Sequence, residues 1–352
     1  MSWWSARTRG RRRTPWTAAP EVVDPLPGAT VRSGFDPAVL ADAVIRLRTG
    51  RLVGMPTETV YGLAGATLDP AAIEAIYASK QRPADNPLIA HVSSIDMART
   101  LCRSWTAEAD QLVAACWPGP LAIVLDRADT VPAIAAGGRD SIAIRMPAHP
   151  VALRLIESLD APVSAPSANR SGSISPTEAR HVLADFAEED LLVLDGGPCR
   201  IGLESTVVDL RGRRPIVLRP GAATAERIAE ILGVEVTQPE IVEQTESPGT
   251  ASRHYAPTTP TRLCGLEDAG GEDVAVITIA SGASEETPDV GTRFRVDLPD
   301  DPTLVAAMLY STLHAADLSG SRRIDIVPPR VEGDSASWNA VLDRLGRAAA
   351  TD

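Results

Sequence analysis

The chain of 352 residues is long enough for two domains of ordinary size, and its 44% hydrophobic and 23% charged residues are typical of a globular protein. No apolar run approaches the roughly 20 residues that a membrane span needs, so no membrane insertion is expected. A net charge of -12 argues against a broad nucleic-acid-binding surface, because such surfaces are usually basic. Four scattered cysteines without CxxC or Cys/His ligand spacing predict neither a zinc site nor a disulfide framework, and they fit a reducing cytoplasm.

Residues 1–34 are predicted to form a disordered basic arm. Residues 1–35 hold six arginines against two acidic residues, a local charge of +4 that leaves -16 on the remainder of the chain. The stretch lacks the continuous apolar core of a secretory signal. A solvated tail, or a misplaced start codon, is the favoured interpretation, and weak contact with RNA is the functional alternative.

Residues 35–236 alternate between helical and strand patterns, which predicts an α/β domain. Helices are expected where a capping side chain precedes apolar residues at helical spacing, and strands where short apolar runs occur. In chain order the predicted elements are helix "DPAVLADAVIRLRTG", strand "RLVGMP", helix "TLDPAAIEAIYASK", strand "PLIAHV", a helix near 106–115, strands "LAIVLD" and "SIAIRMP", a helix near 150–158, strand "APVSAP", helix "TEARHVLADF" opened by a capping box at 175–178, strands "DLLVLDGG", "STVVDL" and "RPIVLRPG", and helix "TAERIAEILG".

Residues 237–260 are predicted to be a linker, because they are polar, rich in proline and without periodicity. Connections longer than about 15 residues are usually functional or disordered, which makes this segment a candidate lid. Residues 261–350 predict a smaller α/β domain, with strands "VAVITI" and "RRIDIVPP" and helices "DPTLVAAMLYSTLHAADLSG" and "SASWNAVLDRLGRAAA".

Two segments are candidate anion sites. Lys80 and Arg82 stand one residue apart at a predicted helix end, where two cations can hold phosphate oxygens from two sides; a solvated helix end is the alternative. The stretch "SAPSANRSGSISPTEA" offers hydroxyls and backbone N–H groups beside a predicted helix start, which favours an anion, although an ordinary capped loop fits as well.

Charged and polar residues also end several predicted strands. Arg145 and Arg219 each end an apolar strand, where a buried guanidinium needs either a salt bridge or an anionic ligand. His91 also ends a strand and is either a satisfied core histidine or a ligand. "GMPTETVYGLAG" places hydroxyls and a carboxylate after a strand, or is simply a turn rich in threonine. Ligands bind at strand ends in open α/β sheets, and neither a Walker sequence nor GxGxxG is present.

Several of these motifs together resemble one family. They are "PTETVYGLA", "KQRPADNPLIAHV", "WPGPLAIVL", "IAIRMPAHP", "APSANRSGSISPT", "DGGPCRIGLESTVVDL", "VLRPGA" and "SPG…HYAP". Their order is similar to that of two-domain threonylcarbamoyl-AMP synthases with a YrdC-like catalytic domain, from about Phe35 to the carboxyl terminus. The most diagnostic residues are Lys80, Arg82, Ser167 and Asn169. The resemblance implies a twisted mixed-sheet catalytic domain with a positively charged concave cleft and a smaller Rossmann-like C-terminal domain.

The resemblance also implies a reaction and its site. L-threonine, bicarbonate and ATP would give threonylcarbamoyl-AMP and pyrophosphate, with Mg²⁺ carried by the ATP phosphates and no tightly bound organic cofactor. A downstream tRNA threonylcarbamoyl transferase complex would then modify the adenosine beside the anticodon of tRNAs that read codons beginning with A. ATP would face Lys80, Arg82, Asn86, Ser141, Ser167, Asn169, Ser175, Arg219 and His254, with Lys80 and Arg82 as the catalytic pair. L-threonine would face Thr59, His91, Arg145, Ala165 and Ser205.

The linker departs from the family pattern, and other functions compete. Thr250, Ala251 and Ser252 stand where family linkers often read Met-Lys-Tyr, so closure of a lid stays an open point. Carbamoyl-adenylate-forming maturation enzymes and antibiotic-carbamoylating enzymes share the fold but are longer chains, and the maturation type carries CxxC motifs. A non-catalytic RNA-binding module would not need the four diagnostic residues. A bare ATPase would release orthophosphate instead of pyrophosphate.

Overall fold

A computed structural model describes residues 28–238, 254–279, 292–331 and 336–350. Two sheets organise these residues. The first unit contains β1 (Thr30–Ser33), α1 (Pro37–Arg48), β2 (Val53–Met55), β3 (Gly62–Ala66), α2 (Pro70–Lys80), β4 (Ile89–His91), α3 (Ile95–Arg99), α4 (Ala107–Cys116), β5 (Leu121–Asp126), β6 (Ser141–Arg145), α5 (Pro150–Leu159), β7 (Val163–Ser164), α6 (Ala179–Phe186), β8 (Leu192–Asp195), β9 (Thr206–Asp209), β10 (Ile216–Arg219) and α7 (Ala225–Leu232). The second unit contains β11 (Thr261–Leu263), β12 (Val274–Ile279), β13 (Phe294–Leu298), α8 (Pro302–Asp317), β14 (Arg323–Val327) and α9 (Asn339–Ala348).

The first unit is built on a ten-stranded mixed sheet in the order β1-β8-β2-β3-β7-β4-β6-β5-β9-β10. Strand β4 pairs with β6 in parallel, in a register that sets His91 opposite Arg145. Apolar residues of α1 and α5 pack in one core cluster, and those of α2 and α4 pack in another. The mixed α/β fold predicted from the sequence is therefore confirmed for this unit.

The second unit is a four-stranded parallel sheet in the order β11-β14-β12-β13, covered by α8 and α9. Its apolar core includes Val60, Ile174 and Leu203, which belong to the first unit. The two units thus share a continuous hydrophobic core in place of a solvated boundary. In the described part of the chain, no helix combines the length and the apolarity needed to cross a membrane.

The start signals read from the sequence are confirmed for the first two helices. The Asp36 carboxylate accepts a hydrogen bond from the backbone N–H of Ala38 at the start of α1, and Asp69 does the same for Ala71 at the start of α2. Proline occupies the first helical position in both cases, where its missing N–H costs nothing. Helix α2 ends at Lys80, and its C-cap Gln81, with a left-handed φ of 52°, turns the chain between Lys80 and Arg82.

Two local predictions are wrong. Residues 30–33 form β1, which pairs with β8, so a disordered arm does not extend to residue 34; residues 1–27 lie outside the described part. The capping box at 175–178 does not form either. Helix α6 begins at Ala179, its N-cap Glu178 makes no side-chain capping bond, and Ser175 donates its hydroxyl to Glu204 instead. The helix beside the expected anion cradle therefore begins at Ala179, two residues after the predicted start at Thr177.

Candidate active site

A cleft opens where β4 and β6 end side by side. It holds about 560 Å³ of empty space, part of it open to solvent. Nine residues that the sequence predicts as ligands line it: Thr59, Arg82, His91, Arg145, Ala165, Ser167, Ser205, Arg219 and His254. The structure therefore brings together residues that lie up to 195 positions apart in the chain, from Thr59 to His254.

Arg145, at the end of β6, is the centre of a buried polar cluster. Its Nη2 donates to Glu58 at 2.6 Å, its Nη1 to the Thr59 hydroxyl at 2.9 Å, and its Nε to the carbonyl of Gly119 at 3.1 Å. Burial alone would raise the pKa of Glu58, but the charge and the hydrogen bond of Arg145 hold it below the ordinary value. A guanidinium has five N–H groups, so these three bonds leave two for a ligand in the cleft.

His91 faces this cluster as a neutral side chain. Burial, followed by the nearby charge of Arg145, lowers the pKa of His91 to about 3. A base with so low a pKa is almost entirely unprotonated near neutral pH and accepts a proton poorly. His91 is therefore suited to hydrogen bonding and packing in the cleft, and poorly suited to general-base catalysis.

Lys80 is buried at the end of α2, which contradicts the interpretation of a solvated helix end. Its Nζ donates to the carbonyl oxygen of Ser167 at 2.6 Å and also to that of Asn169. Burial, and then the charge of Arg82, lower the pKa of Lys80 well below its ordinary value. The ammonium thus joins α2 to the serine-rich loop after β7.

Arg82, two residues after Lys80, lines the cleft. Its Nε donates to the carbonyl of Asn86 at 3.2 Å and its Nη2 to the carbonyl of Pro87 at 3.1 Å, with a further bond from Nη2 to the Asn86 side chain. Burial lowers the pKa of Arg82 to about 10, so the guanidinium stays charged at neutral pH. These three hydrogen bonds fix the plane of the guanidinium, and none of them involves Nη1.

Arg219, the last residue of β10, also lines the cleft. Its Nε and Nη2 donate to the carbonyl of Ser205 at 3.0 and 2.9 Å, and Nη2 also donates to the Ser205 hydroxyl at 3.2 Å. Burial lowers the pKa of Arg219. One arginine therefore orients both the backbone and the side chain of Ser205.

Three buried polar atoms have no hydrogen-bond partner among the described residues near this cleft. They are Nδ1 of His91 and Nδ1 of His254, both of which line the cleft, and Oδ1 of Asn169, whose backbone carbonyl accepts from Lys80. Burial lowers the pKa of His254 to about 3, so its ring is neutral and Nδ1 can accept or donate according to the tautomer. Buried polar atoms normally have partners, so the two histidine nitrogens, which belong to lining residues, are suited to ligand contact.

Five predicted ligands do not line the cleft. Lys80 and Asn169 lie just behind its wall, joined to each other as described above. Asn86 holds Arg82, and Ser175 donates to Glu204 at 2.6 Å. Ser141 starts β6, at the opposite end of that strand from Arg145. Their assignments to ATP stay predictions.

Two residues without a predicted role make buried contacts at the site. Glu58 forms the ion pair with Arg145, and Glu204 lines the cleft while bound by Ser175, Tyr310 and Arg344. Both lie inside quoted motifs, but their partners are 87 and 140 residues away. Only tertiary structure reveals such pairs.

Comparison with known protein families identifies the class of protein to which this fold and this cleft belong. The family model for Sua5, YciO and YrdC proteins, described as "Telomere recombination", matches residues 46–221, and the model "Threonylcarbamoyl-AMP synthase, C-terminal domain" matches residues 223–350. The chain therefore belongs to the threonylcarbamoyl-AMP synthase family, in its two-domain form.

Individual relatives agree with this assignment. The threonylcarbamoyl-AMP synthase of Pyrococcus abyssi is 37% identical over 321 residues, 86% of this chain and 91% of the relative. That of Bacillus subtilis is 36% identical over 89% of this chain and 93% of the relative. The crystal structure of P. abyssi Sua5 complexed with L-threonine superposes with a TM-score of 0.78 at 35% identity, covering 91% of this chain and 96% of that one. The resemblance found from the motifs is confirmed.

Proposed function

We propose that the protein is a nucleotidyltransferase that forms threonylcarbamoyl-AMP and pyrophosphate from L-threonine, bicarbonate and MgATP. The observation that carries the proposal is the single cleft that Arg82 and Arg219 line together with Arg145, His91 and Thr59. Arg82 and Arg219 offer cations for a polyphosphate, and the Arg145–His91–Thr59 cluster offers groups for a small amino acid. Family membership, and the L-threonine bound by the P. abyssi protein, support this division.

The cationic side would bind the phosphates. Attack by a carbamate oxygen on the α-phosphorus builds charge on the pyrophosphate leaving group, and fixed cations stabilise that charge without reorganising. Arg82 is fixed by Asn86 and Pro87, and Arg219 by Ser205. Lys80 acts through the loop that it holds, because its Nζ donates to Ser167 and Asn169.

Mg²⁺ would enter as part of the substrate. Among the residues that the structure describes, no group of three or more His, Cys, Asp or Glu side chains could hold a metal ion. The carboxylate that lines the cleft, Glu204, already accepts from Arg344, Tyr310 and Ser175. Coordination of the ion by the ATP phosphates is therefore the arrangement that we propose.

The other side would bind threonine. The two remaining N–H groups of Arg145 can bind the amino-acid carboxylate, and the hydroxyls of Thr59 and Ser205 are the candidates for the substrate hydroxyl. A site that hydrogen-bonds a substrate hydroxyl rejects an analogue without it, because buried polar groups are then left unpaired. Valine is therefore expected to be a poor substrate.

Formation of the carbamate needs the threonine amine in its neutral form beside bicarbonate. With a pKa of about 3, His91 is too weak a base to deprotonate the ammonium efficiently. The proposal therefore gives the protein the tasks of binding, orienting and excluding water, and a neutral amine must come from the solution equilibrium. Activity should rise with pH above neutrality for this reason.

The product would then pass to a tRNA threonylcarbamoyl transferase complex, which we propose as the downstream partner in the cytoplasm. Weak contact of the arginine-rich arm with RNA stays a further prediction, because residues 1–27 lie outside the described part.

The deciding experiment measures pyrophosphate release from purified protein with ATP, Mg²⁺ and bicarbonate. L-threonine, L-serine, L-valine and no amino acid are compared. Pyrophosphate release that requires both L-threonine and bicarbonate supports the proposal. Orthophosphate release, or no release from folded protein that still binds ATP, contradicts it.

A further inference from the structure

Glu204 links the cleft to the second unit of the protein. Its carboxylate lines the cleft, yet the side chain is only 7% exposed. Its Oε2 accepts from Arg344 Nε at 3.0 Å and from the Tyr310 hydroxyl at 3.0 Å, and its Oε1 accepts from the Ser175 hydroxyl at 2.6 Å. Two of these three donors belong to α8 and α9, on the far side of the unit boundary.

Arg344 contacts more than the carboxylate. Its Nη2 donates to the carbonyl of Pro220, the residue directly after Arg219, at 3.0 Å. Its guanidinium also lies over the ring of Tyr255, at 5.3 Å from the centroid, and Tyr255 lines the cleft. Arg344 is itself fully buried. A single side chain of the second unit therefore touches three separate segments of the cleft wall.

The charge of Glu204 affects the proposed phosphate site because Arg219 lines the same cleft. Glu204 lines the same cleft as Arg219 and directly precedes Ser205, whose carbonyl and hydroxyl accept hydrogen bonds from Arg219; the proposed phosphate site uses the positive charge of Arg219. A carboxylate facing a polyphosphate repels it, and low local polarity strengthens the repulsion. Arg344 Nε donates to Oε2 of the same carboxylate at 3.0 Å and compensates its charge, while Arg344 Nη1 pairs with Asp343 at 2.7 Å.

We infer that Arg344 is a positioning residue for ATP, through which the C-terminal domain neutralises Glu204 and keeps the field of Arg219 directed at the phosphates. The inference rests on the proposed function for the identity of the polyphosphate. It assigns the second unit a part in substrate binding, and it predicts an effect that is specific to the anionic substrate.

A purely structural role for Arg344 predicts different results. If Arg344 only held the two units together, its loss would weaken ATP and L-threonine binding alike, and a further change at Glu204 would not repair it. If charge compensation is its role, removing the Glu204 charge should restore what the loss of Arg344 removed. The two roles are therefore separated by a rescue and by the choice of ligand.

The experiment compares Arg344→Met, Glu204→Gln and the double variant with the unmodified protein by calorimetric titration of α,β-methylene-ATP with Mg²⁺, and separately of L-threonine. Arg344→Met is expected to weaken binding of the ATP analogue about tenfold or more, as when one partner of a buried ion pair is left alone. L-threonine binding should change by less than about threefold. The double variant should return to within about threefold of the unmodified protein.

Controls keep the result interpretable. Arg293→Met removes an exposed cation of the second unit, which pairs with Asp273, and it should leave the affinity for the ATP analogue unchanged. If Arg344→Met does not fold, Glu204→Gln alone still distinguishes the two roles. Charge compensation predicts that Glu204→Gln binds the ATP analogue equally well or more tightly. A purely structural role predicts that it binds the analogue more weakly. Equal losses for both ligands, or a double variant no better than Arg344→Met, would overturn the inference.

These binding measurements need no turnover. Lack of pyrophosphate release by the unmodified protein would therefore count against the proposed function, whereas the absence of rescue counts against the role of Arg344.

Discussion

The ammonium of Lys80 donates a hydrogen bond to the carbonyl oxygen of Ser167 at 2.6 Å, joining the end of α2 to the loop that follows β7. The same ammonium donates to Asn169. The backbone N–H of Ser171 in turn donates to the carbonyl of Lys80 at 2.9 Å, so the connection runs in both directions. The Lys-x-Arg and Ser-x-Asn motifs are therefore one structural unit, with the buried Nζ of Lys80 at its centre.

Lys80→Met tests this unit. Methionine fills a similar volume without charge, so the fold should persist while the loop loses two hydrogen bonds. We expect pyrophosphate release to fall by about 100-fold or more, since misplaced electrostatic groups typically cost that much in rate. Steady-state kinetics measure the loss, and circular dichroism verifies folding. Arg227→Met, on the exposed face of α7, is the matched control. A folded Lys80→Met protein with full activity would contradict the role.

Glu58→Gln tests the threonine side. The Glu58 carboxylate accepts from Arg145 Nη2 at 2.6 Å and from the backbone N–H of Ala148 at 3.0 Å. Glutamine keeps the size but removes the charge that orients Arg145. We expect the KM for L-threonine to rise about tenfold, with the KM for ATP within about threefold. Equal rises in both KM values would show that the pair serves the whole cleft. Glu230→Gln, in an exposed pair, is the control.

Elements with local signals could be predicted from the sequence. The Asp caps of α1 and α2 and the apolar strands β5 and β6 depend on residues close in the chain, and all four form as expected. Strand β3 was missed because "GLAGA" resembles a flexible turn. In the structure, glycine at position 62 is required, since a Cβ there would lie 2.9 Å from the Cβ of Ala165.

The site was predictable as a set of residues but not as a set of contacts. Strand ends carrying Arg145, Arg219 and His91 suggested a ligand site, and all three line one cleft. What the sequence could not show is which groups pair with each other. The Ser175 hydroxyl could cap a helix or bind a carboxylate, and the proximity of Glu204 in the tertiary fold decides between them.

The stacked pair His181 and His314 predicts a dependence of stability on pH. Their ring centroids lie 4.0 Å apart across the unit boundary. Burial, and then the charge of His314, lower the pKa of His181 to about 3, against 6.5 for an ordinary histidine. Below pH 6.5 the unfolded chain binds a proton at this position that the folded protein does not. The free energy of unfolding should therefore fall as the pH drops from about 6.5 towards 3.

Urea unfolding at several pH values measures this effect. One such histidine contributes a slope of about 1.4 kcal/mol per pH unit near pH 5. His181→Gln removes the group and should reduce the slope by about that amount, with the histidines outside this pair, His91, His149 and His254, contributing equally to both proteins. An unchanged slope in the variant would show that His181 takes up a proton in the folded state.

Gly202 allows a test of the boundary between the two units. Its φ of 78° is left-handed, and a Cβ there would lie 2.3 Å from the carbonyl oxygen of Ala306 in α8. Gly138 has a nearly identical φ of 80°, but a Cβ there would meet nothing within 4 Å. Alanine at either position pays a similar backbone strain, roughly 1–2 kcal/mol. The difference between the two variants therefore isolates the clash with α8.

We expect Gly202→Ala to lower the free energy of unfolding by about 2 kcal/mol more than Gly138→Ala, because overpacking against a backbone cannot be relieved by a rotamer change. Equilibrium denaturation of both variants measures the difference. Because Gly202 precedes the Glu204 loop, the displaced α8 should also weaken the hydrogen bond from Tyr310 to Glu204, and binding of α,β-methylene-ATP should weaken in Gly202→Ala alone. Equal stability losses in the two variants would mean that α8 moves away freely and that the units are only loosely joined.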